Sequence, residues 1–575
     1  MGAFDNLLLR ADESITGLFA QWNVWTSLIV TLFAGFLTYQ ISTRRDPDIH
    51  PFLLARQAQP SPVRQPGESP VYRSQAAPHG MPLQAGLNVK DPGASKWARG
   101  RDGDLRDIWR QVIAGVQEDG PSKGATGRIL TVEGTEHVVE HNLADLTRQI
   151  NLIGRYILDR GGNRVAIYLP NSVELLLTLF ACSFYNLTAV ILPFDQPDDA
   201  VISMLRRSAA DTVVTAPGSF PFDEVVKHYP SLRQLIWVVD EGSKHMDWNE
   251  IPQGTGGSAV NVSTWQDIIA DPPVSAGADL PSPSETPKDV TIFWQNKPGQ
   301  TEDMVRFTSA NLIAAVAAQL FAVPTARRMS PADLFLPADS LANTHTLALT
   351  LAALYSNASV AFNSSSPAAA DLALATQGIA PTIVSANPAA LLKTHETVMQ
   401  KINSTVFSRE AHSLQTSALA QDGVFAPAGF LANYYDSAFR PKIFGTEPGK
   451  LRLIFTAERV GAETPKLSST VLSDLRVITG ARVIYALTAA NVAGAVAQTN
   501  FYDYRVTKDE EKEKCSHFGP PVTAAEVLLR DKGEYKSTDE GSKGEIIVKG
   551  PCVAGKEAAL GVVGYIRHDH TLALI

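Results

Sequence analysis

The stretch HNLADLTRQINLIGRYILDRGGNRVAIYLPNSVELLLTLFACSFYNLTAVILPFDQ, residues 141–196, decides the fold class. It contains two apolar runs of strand length, at 164–170 and 188–194, with a helix-like segment at 172–187 between them. Apolar runs that do not alternate with polar residues are typical of parallel strands that are buried on both faces. The stretch therefore predicts an α/β unit with a parallel sheet.

The same alternation continues on both sides of this stretch. A helix is predicted over 102–118, another over 198–209, and strands over 211–217 and 235–240. The alternation returns between about 334 and 457. Residues 527–551 differ, because they consist of short strands separated by polar turns, and we predict an antiparallel hairpin or small barrel there. The main body is thus predicted to be α/β with a small β unit at its end.

Composition excludes several classes of protein. The chain has 575 residues, of which 45% are hydrophobic, and a net charge of -9. The apolar fraction is enough for folded cores, and the charge argues against a nucleic-acid partner that is bound through a basic patch. Three distant cysteines exclude a disulfide framework and a cysteine-based zinc module.

The N-terminal region predicts a membrane anchor. Residues 22–41 carry no charged side chain, and about 20 residues of helix cross ~30 Å of hydrocarbon. Arg44 and Arg45 follow at once, whereas the short segment 1–21 is acidic, so the main body is expected in the cytosol. The endoplasmic reticulum and the mitochondrial outer membrane are both compatible with this topology. Five Asn-x-Ser/Thr sequons point instead toward a lumenal body, but such short matches often arise by chance.

Residues 42–101 are rich in proline and in basic side chains, which is typical of an extended linker. A second interpretation stays open for this region. Tyr72, Met81 and Leu87 are apolar anchors with which the segment would wrap over a folded body.

An ordered series of motifs across the main body resembles the adenylate-forming (AMP-binding) superfamily, and in particular acyl-CoA synthetases. The series consists of 141–196, 289–315, 334–362, 381–394, 451–496, 518–531 and 544–551. The resemblance implies two α/β subdomains over 102–517 and a small β subdomain over 518–575. It also implies a chemistry in which ATP and magnesium activate a carboxylate as an acyl-adenylate, which a thiol then attacks.

The phosphate-binding loop of that family, YTSGTTGxPKG, corresponds here to WQNKPGQTEDM from Trp294 onward. The degenerate loop positions are Gln295, Asn296, Lys297, Gly299, Thr301 and Asp303. The family lysine aligns with Asp303, which follows Glu302, and carboxylates repel a phosphate by about 1 kcal/mol or more even when solvated. An alternative loop built on Lys297 and Gly299 stays open.

The family motif Y-G-x-T-E corresponds to Tyr485-Ala486-Leu487-Thr488-Ala489. The resemblance implies that Tyr485 and Thr488 are residual nucleotide-site candidates, although both are also compatible with a purely packing role. The magnesium-binding glutamate is replaced by Ala489, so the metal ligand is lost. No resident metal is therefore expected.

The end of the chain, GYIRHDHTLALI, leaves the family's ribose-binding aspartate ambiguous. Asp569 takes that place if one residue is deleted, whereas a gapless alignment places His570 there. We expect that the C-terminal catalytic domain of the family is absent after Ile575.

These losses favour a membrane-anchored, catalytically inactive acyl-CoA synthetase-like protein that acts as a binding or scaffold module without cofactors. The expected ligand is an acyl chain or a protein partner, and the segment 336–355 is the candidate wall of an acyl tunnel. Its alanines are equally compatible with close helix packing. The alternative is an active AMP-forming long-chain acyl-CoA synthetase that uses ATP and magnesium.

Overall fold

The structure is a computed structural model of the chain. It describes residues 23–43, 47–90, 93–95, 97–117, 121–133, 137–239, 260–270, 279–283, 285–363, 371–425, 438, 451–506, 515–538 and 542–575. The acidic segment 1–21 and the arginine pair at 44–45 lie outside the described residues.

The α-helices carry side-chain caps at several of their first turns. Asn142 caps the helix that begins at Leu143, and Ser172 caps the one that begins at Val173, so exposed backbone N–H groups are satisfied there. The helices are α1 (Val24–Thr43), α2 (Pro51–Ala55), α3 (Leu105–Ala114), α4 (Leu143–Asp159), α5 (Val173–Phe184), α6 (Asp198–Ser208), α7 (Phe222–His228), α8 (Trp265–Ala270), α9 (Ser309–Ala322), α10 (Thr344–Tyr355), α11 (Leu372–Ala375), α12 (Pro388–Ile402), α13 (Val406–Asp422) and α14 (Ser469–Thr479).

The strands form three sheets. They are β1 (Ala58–Pro60), β2 (Tyr72–Ser74), β3 (Ile129–Glu133), β4 (His137–His141), β5 (Arg164–Tyr168), β6 (Thr188–Ile191), β7 (Thr212–Thr215), β8 (Gln234–Trp237), β9 (Asn261–Thr264), β10 (Val290–Trp294), β11 (Asp303–Phe307), β12 (Leu334–Pro337), β13 (Ser359–Phe362), β14 (Ile383–Ser385), β15 (Leu453–Arg459), β16 (Arg482–Thr488), β17 (Ala497–Gln498), β18 (Glu526–Arg530), β19 (Lys543–Lys549), β20 (Ala558–Ile566) and β21 (Leu572–Leu574).

Two of the sheets are mainly parallel, as the apolar runs predict. The seven-stranded sheet has the order β11-β10-β6-β5-β7-β8-β9, and only its edge pair β10–β11 is antiparallel. The eight-stranded sheet has the order β17-β16-β15-β14-β12-β13-β3-β4, with antiparallel pairs at both edges. Helix α10 packs on β12 and β13 and on α9, and α9 contacts β11 of the other sheet. The predicted pair of α/β subdomains is present.

The third sheet is antiparallel and combines two strands from the N-terminal region with the last four strands of the chain. Its order is β1-β2-β18-β19-β20-β21, so strands from the N-terminal segment extend the predicted small β subdomain. Tyr72 is buried against this core, whereas Met81 is exposed. The extended-linker interpretation of 42–101 does not describe β1 and β2, because these strands pair with each other and β2 pairs with β18. The second interpretation, in which the segment wraps over the body, describes them correctly.

The predicted helix over 22–41 is present as α1. The described apolar side chains of α1, such as Trp25, Ile29 and Phe33, are exposed. Within the part of the chain that the structure describes, however, no helix has the length and apolar character that crossing a membrane requires. The predicted membrane span is therefore not supported.

Candidate functional site

The candidate site lies at the carboxyl ends of parallel strands in the eight-stranded sheet. Strand β15 ends at Arg459 and β12 ends at Pro337 on this edge. The indole nitrogen of Trp294, at the end of β10 in the other sheet, donates a hydrogen bond to the carbonyl oxygen of Val460 at 3.1 Å. The loop after β10 therefore borders the same edge, which is where parallel α/β sheets usually bind ligands.

The loop that joins β10 to β11 is closed by its own hydrogen bonds. The side-chain amide of Asn296 donates to the carbonyl oxygen of Thr301 at 2.9 Å and to Oδ2 of Asp303 at 3.2 Å. The backbone N–H of Gln300 donates to the carbonyl oxygen of Lys297 at 3.0 Å. Four of the predicted phosphate-loop positions thus come together, but in a self-satisfied hairpin turn.

Gly299 gives this turn its backbone conformation. Its φ is +84°, in the left-handed region that glycine adopts without strain. The position is at the exposed tip of the hairpin, next to Lys297, which is also exposed. Glycine is required here by the turn itself, whether or not the loop contacts a ligand.

Of the two acidic residues of the loop, Glu302 has a partner on helix α6 and Asp303 has one within the loop. Glu302 forms an ion pair with Arg207 of α6 at 3.5 Å, and Arg207 also donates to the carbonyl oxygen of Glu302 at 2.6 Å. The Arg207 guanidinium lies 5.2 Å from the ring centroid of Phe293. Asp303 is exposed and accepts the Asn296 hydrogen bond. These contacts hold the loop against α6.

Tyr485 is fully buried and has no free face toward a ligand. Its hydroxyl donates to Oε2 of Glu458 at 3.2 Å and accepts the backbone N–H of Leu467 at 3.3 Å. Its ring packs against Phe518 with centroids 4.9 Å apart. Burial raises the pKa of Tyr485 well above its ordinary value and also raises the pKa of the Glu458 carboxyl. The structure gives Tyr485 a packing position in the core.

Thr488 ends the same strand, Ala489 follows it directly, and both residues are buried as well. The Thr488 hydroxyl donates to the carbonyl oxygen of Glu458 at 2.9 Å, so it joins β16 to β15. Ala489 is 3% exposed and offers only a methyl group. Among the described residues, no group of three or more His, Cys, Asp or Glu side chains is arranged to hold a metal ion.

Asp569 lies in the antiparallel sheet region with both carboxylate oxygens engaged. The Thr571 hydroxyl donates to Oδ1 at 2.7 Å, and Arg505 donates to Oδ2 at 2.8 Å. Burial favours the neutral acid, but these hydrogen bonds and the charge of Arg505 outweigh it and hold the pKa of Asp569 below its ordinary value. The neighbouring His570 contacts the carbonyl oxygen of Ala58 through Nδ1 at 2.8 Å.

Sequence reasoning missed the charged cluster to which Asp569 belongs. Arg505 donates from Nε and Nη2 to the two oxygens of buried Asp503, at 2.9 and 2.8 Å. The side-chain amide of Gln57 donates to Asp503 at 3.0 Å, and His517 lies 3.5 Å from it. Asp503 and Arg505 are close in sequence, but nothing in the sequence links them to Gln57 or Asp569. Only the fold brings these residues together.

Arg459 was also missed, and it lies at the sheet edge itself. Its guanidinium is 4.6 Å from the ring centroid of Trp294 and donates one long hydrogen bond, 3.5 Å, to the carbonyl oxygen of Gln295. Burial lowers the pKa of Arg459, and the negative charge of Asp339 acts in the opposite direction. A lone arginine after an apolar strand carries no sequence signal that distinguishes it from an ordinary surface residue.

The proposed tunnel wall over 336–355 is close-packed in helix α10. Ala348 is 1% exposed and Ala352 is 0% exposed. A Cβ built on Gly494 would lie 3.0 Å from the Cβ of Ala315 on α9 and 3.8 Å from that of Ala348. These alanines therefore serve close packing of α10, α9 and the 494 turn.

His345, in the first turn of α10, is 3% exposed, and its ring lies edge-on to Phe455 with centroids 6.3 Å apart. Burial lowers the pKa of His345 to about 4, so the imidazole is neutral at pH 7. It is a neutral core residue in this structure.

Comparison with known proteins places this architecture in a family. The family model described as AMP-binding enzyme matches residues 130–290 and 304–556. The chain belongs to the AMP-binding enzyme family. The first matched segment ends at Val290 and the second begins at residue 304. The match therefore omits the rest of β10 and the hairpin loop that follows it.

A curated relative is the peroxisomal long chain acyl-CoA synthetase 6 of Arabidopsis thaliana. It is 24% identical over 412 residues, which cover 68% of this chain and 52% of the relative. The chain thus spans about half the length of that relative.

Two solved structures illustrate the similarity of fold. The anthranilate CoA ligase AuaEII in complex with anthranoyl-AMP has a TM-score of 0.57 and 14% identity, over 82% of this chain and 77% of that protein. The N-terminal domain of FACL13 from Mycobacterium tuberculosis has a TM-score of 0.54 and 13% identity, over 82% of this chain and 99% of that domain. At this identity the likeness concerns the fold.

Proposed function

We propose that this chain is a catalytically inactive, acyl-CoA synthetase-like member of the AMP-binding family, retained as a binding or scaffold module. Its ligand is a small molecule, an acyl chain or a protein, bound without turnover. The core of the fold is buried, and the family motifs that are altered include those that the resemblance assigns to phosphates and magnesium.

The hairpin loop carries this proposal. It falls in the gap of the family match between 290 and 304, and Asn296 closes it with hydrogen bonds to Thr301 and Asp303. A loop that cradles phosphates presents backbone N–H groups and a lysine to the ligand. Here the amide of Asn296 occupies the loop interior, and carboxylates replace the cation, so the loop does not fit a triphosphate.

The neighbouring positions support the same proposal. Ala489 provides no oxygen for magnesium, which prefers carboxylate and water ligands. The hydroxyl of Tyr485 is hydrogen-bonded to Glu458 in the core. Because the Tyr485 side chain is fully buried, its ring has no free face for adenine. The residues present therefore do not fit ATP with magnesium, and we derive no catalytic step through them.

The alternative is an active AMP-forming long-chain acyl-CoA synthetase. The name of the Arabidopsis relative favours it, since that protein is a long chain acyl-CoA synthetase. It requires that the hairpin loop opens in the presence of ATP and that another carboxylate replaces the missing magnesium ligand.

ATP-dependent pyrophosphate exchange with a series of fatty acids distinguishes the inactive binding module from the active synthetase. We expect no exchange above the background of a heat-denatured sample, and no thermal stabilisation by ATP with magnesium. An enzyme that binds ATP would be stabilised by about 2.7 kcal/mol when the ATP concentration is a hundredfold above Kd. The Ala489→Glu variant is the matched control, and it stays inactive because the loop is unchanged. Exchange by the wild-type chain would refute the proposal.

A further inference from the structure

Arg459 is a cation at the sheet edge without a counter-ion. Within the part of the chain that the structure describes, it forms no ion pair, and its Nε is buried without a hydrogen-bond partner. Its remaining contacts are the stacking on Trp294 and the 3.5 Å hydrogen bond to Gln295. Buried charges in proteins are normally paired or bind a ligand, because an unpaired one loses its hydration without compensation.

The opposite end of the same strand shows what a satisfied arginine looks like. Arg452, just before β15, donates from Nε and Nη2 to the two oxygens of Asp333 at 2.7 and 2.9 Å. Its Nη1 donates to the carbonyl oxygen of Arg327 at 2.9 Å. Arg452 thus has a bidentate carboxylate partner from the chain itself, and Arg459 has none.

Asp339, whose charge acts on Arg459, and Glu302 of the hairpin loop are both directed to other partners. Oδ2 of Asp339 accepts from Asn343 at 2.8 Å and from Thr346 at 3.2 Å, so that carboxylate is held by α10. Glu302 is paired with Arg207, as described above. The negative charge of Asp339 acts on Arg459 and disfavours a doubly charged ligand, while its hydrogen bonds to other residues leave the guanidinium without a bonded carboxylate.

Solvent reaches this edge of the sheet. Arg459, Gln295 and Asp339 are all partly exposed, although the Nε atom is buried. A small ligand can therefore approach Arg459 from the solvent side, and the paired N–H groups of an arginine guanidinium match the two oxygens of a planar oxyanion. The indole of Trp294 holds the guanidinium plane in place for such a contact.

We propose that Arg459 forms a binding site for a singly charged oxyanion, of which a carboxylate is the simplest form, at the carboxyl edge of β15. The site rests on a residue outside the phosphate-loop and magnesium positions of the family resemblance. It deepens the proposed function, because it gives the binding module a ligand chemistry of its own.

The test is thermal unfolding of the full chain during an acetate titration at constant ionic strength, with chloride as the balancing anion. We expect saturable stabilisation of the wild type, and Arg459→Gln should need at least about tenfold more acetate for the same shift. Arg452→Gln is the matched control, because it lowers the midpoint but leaves the acetate dependence unchanged. If Arg459→Gln does not fold, Arg459→Lys takes its place, because lysine retains the charge without the two parallel N–H groups of the guanidinium. Arg459→Lys should weaken acetate binding relative to the wild type, but by less than the tenfold expected for glutamine.

Equal acetate responses of the wild type and Arg459→Gln would overturn the site. Stronger stabilisation by inorganic phosphate than by acetate would overturn its preference for a single charge. Pyrophosphate exchange is measured on the same samples, so that the two proposals fail separately. Exchange with ATP refutes the inactive-enzyme proposal whatever acetate does, whereas absent acetate binding with no exchange refutes the oxyanion site alone.

Discussion

Arg505 and Arg459 are two partly buried arginines in opposite electrostatic situations. Arg505 donates to both oxygens of Asp503, to Asp569 and to the carbonyl oxygen of Leu54. Burial alone would lower its pKa, but the bonds and charges of the two aspartates outweigh burial and raise the pKa of Arg505. The pKa of Arg459 is lowered, since burial acts there with little to oppose it. The number of partners, rather than burial, separates a structural charge from one that is available to a ligand.

The two regions also differ in what they hold together. The Arg505 cluster joins the N-terminal segment, through Gln57 and Leu54, to the antiparallel sheet. Among the described residues, the side-chain contacts of Arg459 join the end of β15 to Trp294 at the end of β10 and to Gln295 just after it. We therefore expect substitutions in the first region to act on stability, and substitutions in the second to act on binding.

The largest effect should come from Asp503→Asn. The change leaves the Arg505 guanidinium without its bidentate carboxylate inside the protein, and breaking a buried pair in this way destabilises by about 3–5 kcal/mol. Chemical denaturation of the full chain measures it. Asp223→Asn, at an exposed position in α7, is the matched control and should stay within about 0.5 kcal/mol of wild type. A loss as small as that of the control would mean that the cluster is not a stabilising unit.

The same cluster should make stability depend on acid pH. Arg505 and His517 outweigh burial and hold the pKa of Asp503 well below its ordinary value, and the pKa of Asp569 is lowered as well. A carboxyl with a depressed folded-state pKa contributes stability above its unfolded pKa, about 3.9, and loses it as pH falls toward the folded value. Denaturation midpoints should therefore decline below about pH 4, and Asp503→Asn should flatten that decline. An unchanged slope in the variant would count against the pairing.

Arg452→Gln should cause the next largest loss of stability. It removes the partner of Asp333, which is buried and whose pKa Arg452 helps to hold below its ordinary value against the opposing effect of burial. We expect a loss of about 2–3 kcal/mol, somewhat below a fully buried pair because Arg452 is partly exposed. Urea denaturation with an unchanged m-value would confirm a simple loss of stability.

Tyr485→Phe tests the core contact between β16 and β15. The substitution removes the hydroxyl that bonds Glu458 and Leu467, and keeps the ring that packs on Phe518. Each lost hydrogen bond costs about 1 kcal/mol, so the loss of both should destabilise the protein by about 2 kcal/mol. Differential scanning calorimetry measures the change. No loss at all would indicate that the hydroxyl is not bonded in solution.

The smallest change in stability is expected for Arg459→Gln, within about 0.5 kcal/mol of wild type or slightly stabilising. The side chain has no ion pair to lose among the described residues, and glutamine retains a hydrogen-bond donor toward Gln295. Denaturation beside Arg452→Gln gives a direct comparison of the two ends of β15. A loss equal to that of Arg452→Gln would remove the distinction between paired and unpaired arginines.

The fold was predictable where burial is continuous along the chain. The strands over 164–170 and 188–194, and the helix between them, appear as β5, β6 and α5 within a few residues. A parallel strand that is covered on both faces needs apolar side chains at successive positions, so the pattern is visible locally.

Two predictions about the N-terminal region, the extended linker and the membrane span, are not supported by the structure. A proline-rich segment with scattered apolar residues reads as a linker, and only the sheet edge at β18 turns part of it into strands β1 and β2. The uncharged run at 22–41 predicted a membrane span, which the described helices do not support. In both cases the local composition is compatible with more than one environment.

The sequence by itself determined the α/β class and the family, because both follow from residue type at successive positions and from the order of motifs along the chain. The tertiary structure alone decided that Asn296 closes the loop, that Tyr485 is buried on Glu458, and that Arg459 lacks the carboxylate partner that Arg505 has. Charge–charge and hydrogen-bond energies depend on distances of a few ångströms between side chains. Such distances are set by the packing of whole sheets and helices, and not by neighbours along the chain.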